Sequence, residues 1–283
     1  MIDALLNYAF MRNALIAAVL ASVTAGIIGT VAIEKKRVSM SGGLAHASFG
    51  GIGLGYLLGF EPIWGGAAFA VGASVLISRI PHHSKMKADT MTGILWSFGM
   101  ALGILFISLA PGYMPDMTSY LFGDILSVSG AYLIYMAAFT AVIAAAFVVF
   151  YHHLMLYLFD EPYAAARGIK TRRLEWVITI MLPIGIMALI KIVGIVLTIA
   201  LMTIPVSIAK LLFKSIGRVV MFAMLFSLLF CVGGLVISYY IGIPSGACIA
   251  VLSTLVYLAM LASHGGIRRQ LHRRKAHHER AGH

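Results

Sequence analysis

Charge is the first scarcity of this chain: Asp, Glu, Lys and Arg together make up 11% of its 283 residues. Too few charges remain to solvate a protein surface, so a soluble domain is excluded. Acidic groups are the rarer kind, 10 against 21 Lys and Arg, giving a formal net charge of +11. In a soluble protein that excess would suggest nucleic acid. Here the basic residues fall in short segments between apolar runs, and nucleic acid is excluded as a partner. Only two cysteines occur, Cys231 and Cys248, both inside apolar segments and without CxxC spacing, so neither a disulfide framework nor a zinc site is indicated and core packing is the reading. No GxxxxGK[ST] phosphate loop is present, so this sequence carries no P-loop for nucleotide chemistry. HExxH, GxSxG and an intramembrane carboxylate pair are missing as well, which argues against an intramembrane enzyme.

What the chain has in abundance is apolar length: 61% hydrophobic residues and a mean hydropathy of +0.96, the signature of an integral membrane protein. Apolar runs over about 10–33, 44–60, 63–80, 90–110, 131–150, 174–190, 192–212, 218–238 and 245–262 are long enough to be spans. The first is too long for a signal h-region and has no convincing cleavage site, so it is expected to stay as a span. Nineteen of the 21 basic residues fall in 34–43, 79–89, 151–173, 210–218 and the tail after 263, leaving only Arg12 and Lys191 outside. By the positive-inside rule, the N-terminus is then outside and the C-terminus cytoplasmic. Segment 111–130 reads as an outer loop with a short helix or re-entrant stretch, in which Asp124 caps a helix or meets a cation.

The stretch from Ser39 to Phe60 is a span of unusual make-up. Gly43, Ala47, Gly51, Gly55 and Gly59 recur every fourth residue, forming an edge with almost no side chains that invites close helix approach. Gly42, His46, Gly50 and Gly53 lie along the adjacent edge, leaving one imidazole among glycines. A nitrogen ligand in a membrane must face a cavity, a partner helix or a solute. Two readings stay open for His46: a ligand for something passing, or a buried histidine bonded to a backbone carbonyl.

The loop YHHLMLYLFDEPYAAARGIKTRR, residues 151–173, carries the signals of one short helix: Asp160 as cap, Glu161 and Pro162 in the first turn, Gly168 at the end. Such a helix suits docking. Pro205 inside the 192–212 span permits a kink, and Lys191 at the outer end is expected to snorkel. The polar, basic tail 264–283, with His272, His277 and His278, reads as a disordered, solvated end with metal binding as the alternative.

SGGLAHASFGG, YLFGDILSVS, FDEPYAAARGI and VGIVLTIALMTIPVSIAKLL occur in an order that resembles the permease subunits of bacterial ABC importers for zinc, manganese or iron. The resemblance implies an all-α polytopic permease of the type II importer kind with eight or nine membrane helices in residues 1–263. It also implies a homodimer in the bacterial inner membrane, a cytoplasmic ABC ATPase on each copy and an extracytoplasmic metal-binding protein. No cofactor is expected on this chain; a divalent metal ion would be cargo. Phe159, Asp160, Glu161, Pro162, Ala165, Arg167 and Gly168 would form the coupling helix that seats in the ATPase. His46 would be a transient metal ligand, and Gly42, Gly50, Gly51, Gly55, Gly59 and Pro205 would serve the pathway or helix packing. Two departures stand out: many members have a carboxylate where this chain has Gly42, and often a proline where it has Gly50. A lone imidazole is a poor site for ions that want four ligands or oxygens, so a metal chelate is the alternative cargo; an ATP-independent secondary carrier, against which the coupling loop argues, is the alternative mechanism.

Overall fold

The structure, a computed structural model, describes residues 8–80, 88–111, 121–123 and 125–281, with side chains described as far as residue 263. Asp124, Lys85 and Lys87 therefore lie outside the described residues, as do the side chains of the tail histidines. Regular structure among the described residues is helical: α1 (Ala9–Glu34), α2 (Val38–Leu58), α3 (Pro62–Ser78), α4 (Ala88–Leu109), α5 (Gly130–Val149), α6 (Tyr151–Phe159), α7 (Glu161–Ala166), α8 (Thr171–Leu212), α9 (Ile216–Ile241) and α10 (Ser245–Ala281), with a 3-10 turn at Ile125–Ser127. The all-α membrane fold expected from the hydropathy is the fold observed. Six helices are long and apolar enough to cross a membrane on length and composition: α1, α4, α5, α8, α9 and the 245–263 part of α10.

α8 is two spans in one. Straight, its 42 residues would run about 63 Å, twice a bilayer core. Instead, Gly194 adopts φ 78°, ψ 169° in its middle, a conformation essentially reserved for glycine. Ion pairs fix the consequence. Glu175 near the start of α8 pairs with Arg37, and Lys210 near its end pairs with Glu34 at 2.9 Å. Residues 34 and 37 are neighbours, so both ends of α8 lie at one end of the bundle. Lys191, by contrast, pairs with Glu61 at 3.3 Å, between α2 and α3 at the opposite end. The helix turns back on itself at Gly194. Counted with this reversal, the described helices make nine passes, matching the nine apolar runs, with the break three residues later than Lys191.

α1 forms the centre, packing on both α8 and α9, and its face Ala14, Ala17, Ala18, Ala21 and Ala25 is wholly buried. Side chains this small let backbones approach, which is how membrane helices associate without a hydrophobic drive between them. α2 is the other inner helix, held between α3, α4 and α8.

The backbone at Pro205 stays helical within α8. Three expectations need correction. α10 continues as helix through Ala281, where the tail from 264 was expected to be disordered; Arg, Gln, Ala, Lys and Glu are good helix formers, which a polar composition conceals. Gly59 marks no close helix approach, since a Cβ there would meet nothing within 4 Å: it ends α2 with φ 74°, as a left-handed cap. Finally, the 151–173 segment holds two helices, α6 preceding α7, because LMLYLF supplies an apolar face that the polar ends of the loop obscured.

Candidate functional site

α2 owes its place to its glycines. A Cβ on Gly43 would strike Thr92 of α4, one on Gly53 would strike the carbonyl of Gly103, and one on Gly50 would lie 3.1 Å from the carbonyl of Gly99 and 3.2 Å from Phe69. A Cβ on Gly51 would meet the backbone of Gly65, and one on Gly55 would sit 2.6 Å from Pro62 Cα, both on α3. The expected bare edge is thus real but divided. Its first half, with Ala47 against Gly99, admits α4; its second half admits α3.

His46 is half-buried on the side of α2 that faces α4. It is not isolated among glycines. Its ring lies on Trp96 of α4, centroids 4.3 Å apart and planes within 4° of parallel. Its Nδ1 is buried and has no hydrogen-bond partner, which costs about 1–3 kcal/mol for a polar atom left unpaired. That nitrogen does not make the carbonyl bond of the structural reading. Gly42, one turn earlier, is the exception among the α2 glycines: its Cβ would meet only Ile199 Cδ1, at 3.8 Å, so its turn is open. No group of three or more His, Cys, Asp or Glu comes together among the described residues. The site holds one unpaired nitrogen on an aromatic plate.

The second site is the surface helix pair α6 and α7. Asp160 accepts a hydrogen bond from the Tyr163 backbone N–H at 3.0 Å, Pro162 stands in the first turn of α7, and Arg167 and Gly168 close it. These are the start and stop signals read from the sequence. Ala164 is wholly buried and seats α7 on the bundle, while Phe159 is 83% exposed and Glu161, Pro162, Tyr163, Ala165 and Arg167 also face outward. Arg167 donates to the Tyr163 hydroxyl at 3.1 Å, bracing that outer face.

Sequence reasoning missed Trp96 and the polar cluster beneath α7. Lys35 Nζ pairs with Glu161 at 3.0 Å and lies 3.4 Å over the Tyr157 ring. The Tyr157 hydroxyl donates to Glu175, which also pairs with Arg37. Burial, and then the bond to Glu175, push the Tyr157 phenol well above its usual pKa, so it stays a donor. The available signal was Glu175 itself, a carboxylate entering an apolar run.

Residues 7–264 match the ABC 3 transport family. A membrane protein of Synechocystis is 34% identical over 257 residues, covering 91% of this chain and 92% of the relative. The manganese transport system membrane protein MntC of Listeria innocua is 29% identical, covering 90% and 91% of the two chains. Among solved structures, PsaBC from Streptococcus pneumoniae in complex with Fab matches with a TM-score of 0.82 and 28% identity over 91% of this chain and 93% of that one. With a family match across residues 7–264, and a relative aligned along nearly its whole length, this chain belongs to the ABC 3 transport family of membrane permeases.

Proposed function

We propose that this chain is the membrane-embedded half of an ATP-driven importer that carries a divalent metal ion, zinc, manganese or iron, past His46. The observation that carries the reading is the buried, unpartnered Nδ1 of His46, held flat by Trp96 inside a glycine-lined helix. A single donor binds weakly, and weak binding suits passage, since an ion must leave as readily as it enters. Two copies would bring two imidazoles to the path. α7 is the coupling helix: capped by Asp160, seated by Ala164, and presenting Phe159, Pro162, Tyr163 and Ala165 to a cytoplasmic ABC ATPase. An extracytoplasmic metal-binding protein delivers the ion to the opposite end, near Glu61 and Lys191. The basic segments set the orientation in the bacterial inner membrane, N-terminus outside and C-terminus cytoplasmic.

A metal chelate is the second reading of the cargo, favoured by the open turn at Gly42, which leaves room for ligands that the ion brings with it. Both readings are tested in vesicles containing the permease with its ATPase. His46→Leu keeps the helix apolar and similar in bulk, so expression and ATPase association are expected to be normal. Uptake of Zn²⁺, Mn²⁺ or Fe²⁺ should fall roughly tenfold or more, the scale on which metal sites respond to losing a supporting group. Normal uptake by the variant sinks the ligand assignment, and lost uptake with a lowered melting temperature returns His46 to packing.

A further inference from the structure

We infer that Glu175 is a positioning residue through which movement of α7 reaches α2, and so His46; the inference rests on the reading of α7 as the coupling helix. Each oxygen of its carboxylate is committed to a different part of the molecule. Oε2 accepts the Tyr157 hydroxyl of α6, and Oε1 accepts Arg37, the residue that immediately precedes α2. Tyr157 is buried to 1% exposure, and its ring lies under Lys35, which in turn holds Glu161 in the first turn of α7. Arg37 reaches onward to the Thr179 hydroxyl at 3.4 Å, which is shared with Ser78 of α3 at 3.2 Å, while Ser74 donates to the Thr179 carbonyl at 2.6 Å.

The pattern is that of a joint between two bodies. On one side stand α6 and α7, which touch the rest of the bundle only lightly. On the other stand α1, α2 and α3, with α2 an unbroken helix from Val38 to Leu58. Light packing transmits little force, whereas charge-assisted bonds hold position and direction. Arg37 precedes His46 by nine residues on a continuous helix, about 13 Å along its axis, so a shift of Arg37 is a shift of the His46 turn. Lys36 adds a second indication: its φ of 55° makes it the one described non-glycine residue in the left-handed region, at the turn joining α1 to α2. A tight turn there gives α2 a fixed root next to the joint.

A structural staple would make the same contacts, so the test must read transmission and not only stability. The protein is reconstituted in vesicles with its ATPase, and spin labels are placed at Leu58→Cys, the exposed far end of α2, and Tyr240→Cys, an exposed site near the end of α9. The expected result is a distance change on ATP–vanadate trapping that Glu175→Gln abolishes while ATP hydrolysis and ATPase association persist. Zn²⁺, Mn²⁺ or Fe²⁺ uptake per ATP should fall about tenfold, as for loss of one charged hydrogen bond. The exchange Arg37→Glu with Glu175→Arg should restore part of both. A Glu175→Gln variant with the full distance change overturns the inference, as does one whose melting temperature and ATPase association collapse together without rescue by the exchange. Wild-type protein that shows the distance change without uptake of any of the three ions supports the joint and counts only against the cargo.

Discussion

At the scale of single residues, the glycines of α2 divide into those that touch and those that do not. Gly51→Ala puts a methyl group into the Gly65 backbone, and overpacking of that kind costs about 1–3 kcal/mol; a lower melting temperature in detergent is the expected outcome. Gly42→Ala meets only Ile199 at 3.8 Å and gains helix propensity of about 1 kcal/mol, so its melting temperature should hold or rise. Equal effects at the two positions would mean that helix packing is not what distinguishes them. The sequence made the four-residue spacing of Gly43, Ala47, Gly51 and Gly55 legible because helical period depends on local geometry alone. It did not reveal that α3 and α4 share the edge, nor that Trp96 covers His46, because both depend on which helix comes alongside, and no local pattern encodes that.

Single elements were read best where their signals are chemical. The start of α7 could be placed from Asp160, Glu161 and Pro162 because capping is decided within a few residues. Asp160→Ala removes the bond to the Tyr163 N–H and should weaken α7 by about 1 kcal/mol. ATP hydrolysis stimulated by cargo should fall in reconstituted vesicles, with insertion unchanged; unaltered stimulation would remove the cap from the coupling argument. α8 was read as two spans because Lys191 interrupts the apolar run, yet the reversal lies at Gly194, whose φ of 78° only glycine accepts. Its neighbour across the crossing is Gly123, and a Cβ on Gly194 would lie 2.6 Å from Phe122 C and 2.7 Å from Gly123 Cα. Gly194→Ala therefore combines strain of about 1–3 kcal/mol with a clash, and much reduced yield of folded protein is expected. A variant that folds and melts normally would show that the reversal tolerates a side chain.

At the scale of the whole molecule, one chain presents one α7, and an ATP-driven importer with two ATPases needs two related seats. A symmetric pair of copies answers that need. Native mass spectrometry of the intact assembly is expected to find two of these chains with two ATPases, and one chain with two ATPases would refute the pairing. Most passes were legible from hydropathy because a bilayer demands apolar length, although α2 and α3 fall outside the six helices that meet that demand on length and composition; the order of packing around α1 was not legible. The reversal in α8 bears also on how the chain enters a membrane during synthesis. No loop separates the two halves, so neither can settle across the lipid while the other waits in water; they must partition together as a hairpin. With the tip outward, as proposed, Lys191 rides close to that tip and has to traverse the lipid. Glu61, its partner at 3.3 Å, belongs to the turn between α2 and α3 and is made much earlier. The order of translation thus delivers the anion to the far surface before the cation that it will neutralise.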